Sequence, residues 1–352
     1  MPSPLFSICI PQYDRTSFLI EALRALSTQT FKDFEVCISD DCSPDGRGAE
    51  IQEALRQFGL PHVYYRQARN LRYDGNLRGA IELASGQYCI LMGNDDCFAT
   101  VDALELLSQL VHEQNNIGVM IANYRIPALG SGGRRVSATR RIQGGPGIAS
   151  RCFRNFSFVS GVVLRRDRAA AHATAQWDGA EMYQMYLGCR ILSEGYDLLE
   201  VDSELVIQGL QIEGETVDSY AAKPRLDPCP IAERKTPLVQ MGRLVFDAIQ
   251  PYANGGSAGL AWSIFLQILV FPYAYWIVEY RRVQSWKYAL GICLGMRPRN
   301  LFAAMRLPWL PAWSLRVIYC GVTLAGLIAP IPLFDSLRPR LYALAKNILH
   351  QS

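Results

Sequence analysis

Two pairs of carboxylates close two apolar runs of the chain. Asp40 and Asp41 end the run 34–39, and Asp95 and Asp96 follow Gly93 and Asn94 after the run 87–92. Adjacent carboxylates that both stay ionised need a counter-cation or strong hydrogen bonding. A hard oxygen site of this kind suits Mg²⁺ or Mn²⁺ that also binds a diphosphate. Such a cation steadies the charge that grows on a nucleotide as its bond to a transferred group breaks. Either pair alone also reads as a strand-to-turn cap, in which Asp40, Asp41 and Ser43 serve orphan backbone N–H groups. The repetition at two strand ends is what points to chemistry.

These carboxylates need a scaffold, and the first 125 residues supply the pattern of one. Residues 6–10 predict a buried strand, and 16–28 a helix with Leu19, Ala22, Leu23 and Leu26 on one face, opposite Glu21 and Arg24. Strands are expected at 34–39, 62–66, 87–92 and 118–122, with helices at 47–58, 76–84 and 101–113 between them. This rhythm predicts an α/β fold with a mostly parallel sheet and helices on both faces. Ligands then sit beyond the carboxyl ends of the strands, where the Asp pairs fall. Further strands are expected at 158–166 and 198–207, and a helix at 181–192. Residues 127–150, rich in Gly, Ser and Arg, predict a long loop. Its Arg134, Arg135, Arg140 and Arg141 suit either closure over a diphosphate or plain solvation.

The composition bounds the function. Of 352 residues, 50% are apolar and 19% charged, which excludes an intrinsically disordered chain, and a net charge of +3 makes no case for nucleic acid. The charge is unevenly spread. From Glu279 onward there are ten Lys/Arg against two Asp/Glu, a net of +8, while residues 1–278 carry a net of −5. Residues 248–278 hold no charge over 31 positions, and 317–334 none over 18. Either stretch is long enough to span a membrane. The basic stretch between them would then face away from the cytoplasm, against the charge rule for short loops. Interfacial or re-entrant helices on an inner leaflet fit better, with Trp286, Trp309 and Trp313 at headgroup depth. True spans, a soluble helical subdomain and a homodimer interface remain alternatives. Ten cysteines without a CxxC pair or Cys/His ligand spacing predict reduced thiols. The first residues lack a basic and an apolar leader region, which predicts a working domain in the cytoplasm. The boundaries expected are a catalytic domain at 1–215, a linker with a helix at 216–247, marked by Pro224, Pro228, Pro230 and Pro237, and an apolar, basic helical region at 248–352.

Several ordered motifs carry a resemblance. Ser7 to Arg15 (SICIPQYDR), Gln29 to Glu35 (QTFKDFE), Ile38 to Ser43 (ISDDCS), Asn70 with Gly75-Asn76, and Ala84 to Tyr88 (ASGQY) leading to Asn94-Asp95-Asp96 follow one another as in the family 2 glycosyltransferases. The chain resembles that family over about residues 4–125 and more loosely over 158–207, and most nearly those members that decorate bacterial O-antigen repeats with deoxy or dideoxy sugars. The resemblance implies a GT-A (Rossmann-like) fold and transfer of a sugar from a nucleotide-diphosphate donor with Mg²⁺ or Mn²⁺. It implies that Pro11 and Tyr13 line the base and ribose pocket, that Asp41 accepts a hydrogen bond from a pyrimidine beside Asp40, that Asn76 belongs to the donor site, that Asp95 sits by the ribose and that Asp96 holds the metal. Asn94 stands where many members have Asp, so the metal rests chiefly on Asp96. The position where many members carry a catalytic Asp is Gln184 here. Glu181, one turn earlier, is then the first candidate base and Asp178 the second; the same Asp-x-x-Glu spacing also fits a helix capping box. The implied acceptor is a lipid-linked (undecaprenyl diphosphate) saccharide at the cytoplasmic face of a bacterial inner membrane, reached by an inverting single displacement. A catalytically inactive scaffold of a polysaccharide assembly complex is the alternative, and a processive synthase is disfavoured because several clear spans and a Q-x-x-R-W motif are lacking.

Overall fold

The computed structural model describes residues 3–127, 131–212, 214–215, 237–283, 286–302, 305 and 307–350. The proline-marked stretch around Pro224, Pro228 and Pro230 lies outside them. The chain divides into two compact units, Met1–Ser219 and Tyr220–Ser352.

The first unit is built on one ten-stranded sheet. Its strands β1 (Phe6–Gln12), β2 (Phe34–Asp40), β3 (His62–Arg66) and β4 (Tyr88–Leu91) are all parallel, in the order β3-β2-β1-β4. Between them run α1 (Thr16–Ser27), α2 (Gly48–Gln57) and α3 (Arg72–Glu82). Helix α1 buries the stripe that its spacing forecasts, Leu19, Ala22, Leu23 and Leu26, together with Phe18, and α2 buries Ile51, Ala54 and Leu55. Ser7 Oγ accepts from the Gly86 amide at 2.9 Å, and a Cβ at Gly86 would come within 2.9 Å of the β1 backbone, so only glycine lets this turn lie against the strand.

The second half of the sheet is mixed. Here β9 (Val162–Arg165) runs antiparallel to both β4 and β6 (Ile117–Ile126), while β10 (Asp197–Ile207) runs parallel to β6. Short strands β5 (Cys97–Phe98), β7 (Ser131–Gly133) and β8 (Arg140–Ile142) pair antiparallel with their neighbours. The mostly parallel expectation therefore describes the first half. The second half departs from it because β9 enters from the carboxyl edge of the sheet, beside Met92. The helices of this half are α4 (Ala103–His112), α5 (Pro146–Cys152), α6 (Arg166–Ala171) and α7 (Tyr183–Ser193). Helix α3 starts four residues earlier than its apolar pattern suggests, because its first turn is polar and buried through Asp74, Gly75 and Asn76.

The stretch expected as a long loop is largely ordered by charge. Arg140 pairs with Glu200 at 2.6 Å and Arg141 with Asp197 at 2.5 Å, which seats β8 on β10. Arg134 lies 3.5 Å from Asp202. Arg135 is buried between the Tyr124 and Phe158 rings, 4.8 and 5.0 Å from their centroids, and donates to the Ser160 carbonyl at 2.8 Å. Each of the four arginines has a partner within the protein, and Arg135 alone is buried. The nine described cysteines are free thiols, as expected, and most are buried.

The second unit is helical. It begins, among the described residues, with α8 (Pro237–Ile249). Helices α9 (Ser257–Ile268) and α10 (Ala274–Val283) are joined through a π-helical turn, Leu269–Tyr273, that absorbs Pro272. Then come α11 (Trp286–Gly295), α12 (Pro298–Leu301), α13 (Trp309–Ile328) and α14 (Ile331–His350). Among the described residues, two helices are long and apolar enough to cross a membrane. They differ in packing: 56% of the most apolar window of Ser257–Arg282 is buried within the protein, against 11% for Trp309–Ile328. The first is the unit's core, through Phe265, Ile268 and Ile277; the second leaves Trp309, Trp313, Leu324 and Ile328 exposed.

Candidate active site

The register of the parallel strands gathers the predicted donor-site residues. Gln12 at the end of β1 lies opposite Asp40 at the end of β2, and Cys9 lies opposite Leu91 near the end of β4. Tyr13, Asp41 and Asn94-Asp95-Asp96 therefore emerge at one carboxyl edge, on either side of β1. That is where the strand order reverses, and such a reversal opens a crevice in α/β sheets.

On the β2 side, Asp40 and Asp41 do different jobs. Asp40 is buried and accepts from Ser43 Oγ at 2.6 Å, Ser43 N at 2.9 Å and Tyr64 OH at 2.6 Å. Burial and the Asp40 charge push the Tyr64 hydroxyl well above its ordinary range. Asp41 accepts from Leu71 N at 2.5 Å, and burial holds its carboxyl above the usual range against the pull of the Leu71 and Arg72 amides. The strand-cap reading of this pair is correct for Asp40. Asp41 instead ties the strand end to the start of α3. Asn76, also on α3, donates to the Gln12 carbonyl at 2.9 Å, and its buried Oδ1 has no hydrogen-bond partner among the described residues. Pro11 is half-buried in β1, and the Tyr13 ring stands 46% exposed at the crevice.

On the β4 side, Asn94 Nδ2 donates to Gln12 Oε1 at 2.8 Å, so it ties strand ends together. Asp95 pairs with Arg15 at 2.9 Å. Asp96 is buried: Oδ1 accepts from Gly209 N at 2.8 Å and Oδ2 from the Ser160 hydroxyl. Burial, and then the Asp95 charge, push its pKa up to about 7. A carboxylate this reluctant to ionise gains from a cation beside it. Among the described residues no three His, Cys, Asp or Glu side chains gather as a complete metal cage. Mg²⁺ does not need one, since it usually takes one or two carboxylates and completes its shell with water and substrate phosphates. The donor chemistry at Asp96, with Asp95 beside it, fits that limited role.

The two candidate bases lie outside α7. Glu181 and Asp178 occupy the turn before it, and the helix starts at Tyr183. The helical face expected to align Glu181 with Gln184 therefore does not extend back to Glu181. Gln184 is buried, accepts from Tyr73 OH at 3.1 Å and donates to the Phe156 carbonyl at 3.0 Å. Asp178 is held by both Arg78 nitrogens at 2.6 and 2.9 Å. Glu181 is exposed with a left-handed backbone, φ +58°. Among the described residues neither side chain caps α7; the capping acceptor is Asp74, a residue the sequence reading passed over. Its signal was an acidic residue on what the sequence shows as a helix edge, with nothing to indicate a partner a hundred positions away.

Residues 7–172 match the family model described as Glycosyl transferase family 2. They form a family 2 glycosyltransferase domain. The domain is 37% identical over 115 residues to the abequosyltransferase RfbV of Salmonella typhimurium, covering 32% of this chain and 34% of that one. It is 27% identical over 110 residues to the GalNAc(5)-diNAcBac-PP-undecaprenol beta-1,3-glucosyltransferase of Campylobacter jejuni, covering 31% of this chain and 35% of that one. The matches thus span about a third of these curated relatives' own length. Among solved structures, Staphylococcus aureus TarS 1-349 in complex with UDP superposes with a TM-score of 0.58 at 16% identity, covering 91% of this chain and 90% of that one. That likeness establishes the GT-A fold of the glycosyltransferase domain.

Proposed function

We propose that this protein is a glycosyltransferase of bacterial surface-polysaccharide synthesis that moves one sugar from a nucleotide-diphosphate donor to a hydroxyl of a lipid-linked saccharide. The observation that carries the reading is the convergence of Asp41, Asn76, Asp95 and Asp96 at the strand-order reversal of a family 2 domain. In this reading Pro11 and Tyr13 line the base and ribose. Asp41 accepts from a base N–H, Asp40 fixes the turn behind it through Ser43, and the unpartnered Asn76 Oδ1 takes a donor from the nucleotide sugar. Asp95, steered by Arg15, faces the ribose. Asp96 holds Mg²⁺ or Mn²⁺, which when bound neutralises charge on the departing diphosphate. Glu181 takes the proton of the acceptor hydroxyl as its oxygen attacks the anomeric carbon, which inverts that centre. Asp178, committed to Arg78, is a weaker candidate for the proton and acts through the shape of the turn.

The lipid-linked acceptor is supported by the name of the Campylobacter relative and by the second unit. Trp309, Trp313, Leu324 and Ile328 expose apolar surface on α13, and the C-terminal region is basic. Such a surface suits the anionic cytoplasmic leaflet of an inner membrane, with α13 lying at the interface.

The test is a thermal-shift panel of UDP, dTDP, CDP and GDP with and without Mn²⁺, on the wild type and Asp96→Ala. One nucleotide should raise Tm in a metal-dependent way that the variant loses. Turnover is then followed as release of that nucleoside diphosphate from its sugars, with a bacterial extract of diphosphate-linked saccharide lipids as acceptor. Silence across the whole panel would reject the donor site and favour a scaffold.

A further inference from the structure

Helix α3 links the two sides of the site, and one of its residues has a role that the reading above does not use. Asp74 is 1% exposed, yet its carboxylate faces the turn that carries Glu181. Its Oδ2 accepts from the backbone amides of Gly179 and Glu181, both at 2.8 Å, and its Oδ1 from that of Tyr183 at 3.0 Å. We propose that Asp74 is a positioning residue that sets the turn 178–183, and thereby the place of Glu181 relative to the donor edge.

The Tyr183 amide is an orphan at the start of α7, those of Gly179 and Glu181 belong to the turn before it, and a carboxylate is a strong acceptor for all three. Here that acceptor comes from another helix, so it fixes the entry of α7 to α3 as well as satisfying it. The turn needs such a hold, because Gly179 at φ +91° and Glu181 at φ +58° both adopt the left-handed region, which a glutamate enters only when its surroundings impose it. Neighbours on α3 grip the same segment: Arg78 holds Asp178 and donates to the Thr174 carbonyl at 2.9 Å, and Tyr73 OH meets Gln184. The other face of the link runs to the donor edge, through Asn76 on the Gln12 carbonyl and the Leu71 amide on Asp41. One helix of 11 residues, with the Leu71 that precedes it, therefore contacts both Asp41 at the end of β2 and the turn that bears Glu181. The inference rests on the reading of Glu181 as base.

The test uses the full chain with Asp74→Asn and Asp74→Ser, alone and in a Glu181→Gln background. In Asp74→Asn an amide N–H₂ replaces one acceptor oxygen opposite donors. Turnover number should fall about 10–100-fold in both variants, the cost of a misplaced reacting group. KM for the nucleotide sugar and the nucleoside-diphosphate thermal shift should stay as in wild type, and amide exchange should rise at 179–183. Against Glu181→Gln, adding Asp74→Asn should cost less than about two-fold, because both act through one group. Full turnover in both Asp74 variants beside lost turnover in Glu181→Gln rejects the inference and leaves the base standing. A multiplicative loss in the double variant, or loss of the nucleotide shift in both single variants, also rejects it, since Asp74 would then support the fold at large. Retained turnover in Glu181→Gln alone rejects the base reading and this inference with it.

Discussion

The two sides of the candidate site are held in opposite ways. On the donor side, the carboxylates belong to the ends of parallel strands whose register fixes them within the sheet, and Asp40, Asp41 and Asp96 are buried and hydrogen-bonded. On the proposed acceptor side, Glu181 is exposed, lies in a turn, and its backbone amide donates to a carboxylate on another element. Rigid elements place a group with more precision than loops do, so the proposed donor side reads as preformed, while the place of the proposed base depends on contacts that a single substitution can release. This contrast fits the two tasks. A diphosphate needs fixed charges before it arrives, whereas a base has to be reached by an acceptor hydroxyl.

The largest effect should come from separating the two sides at the base. Glu181→Gln should lower turnover by about 10²–10⁴-fold, the usual worth of a general base, with the nucleoside-diphosphate thermal shift unchanged. Retained turnover would mean that the turn does not serve the chemistry, and the contrast would lose its functional half.

On the donor side the expected damage is to stability. Asp40→Ala leaves the Ser43 hydroxyl, the Ser43 amide and the Tyr64 hydroxyl without their shared acceptor. A loss of about 3 kcal/mol follows from several stranded buried donors, or roughly 6–12 °C in the Tm of this unit. A change of less than about 1 kcal/mol by urea unfolding would mean that water replaces the carboxylate readily, and that this edge is not preformed.

How far each side was legible in the sequence follows the same division. Strands β1, β2 and β4 of the parallel half are legible because each is a short apolar run, and the Asp pairs fall where the β2 and β4 runs stop. The order of the motifs then gave the family and the fold. The second half read less well. The antiparallel entry of β9, the pairing of β8 on β10 through Arg140 and Arg141, and the burial of Arg135 between two rings all rest on partners far away in sequence. Local periodicity holds no record of them. Helix α7 shows the limit most clearly. Asp178 and Glu181 have the spacing of a capping box, yet the cap is Asp74, more than a hundred residues earlier.

The Asp96 carboxyl offers a probe of the donor side without any substrate. Its folded pKa is about 7, above the ordinary carboxylate value near 3.9, so the native state binds this proton more tightly than the unfolded chain. Stability therefore falls as pH rises between those two values and levels off above the higher one. In EDTA, the wild type should lose Tm from pH 5 to pH 8 by more than Asp96→Asn does. Mn²⁺ with the nucleotide identified by the panel should remove most of that loss. Parallel pH profiles for the two proteins would show that Asp96 is not a cation-starved carboxylate.

The smallest expected effect concerns the backbone at the donor edge. Asp14, Arg15 and Cys42 all have positive φ, between 55° and 60°, in the turns that follow β1 and β2 at the crevice. Cys42 is the simplest to test, since it is half-buried and directly follows Asp40-Asp41. A non-glycine residue pays roughly 1–2 kcal/mol for this conformation, and glycine offsets part of the relief through the greater freedom of its unfolded chain. Cys42→Gly should therefore raise stability by about 0.5–1 kcal/mol and leave the nucleotide shift intact, because Asp40 and Asp41 keep their own hydrogen bonds. A loss of nucleotide binding in this variant would mean that strain at Cys42, rather than the strand register, aims the Asp pair. The donor side would then resemble the Glu181 turn, and the contrast between a preformed edge and a dependent one would fail at its stronger end.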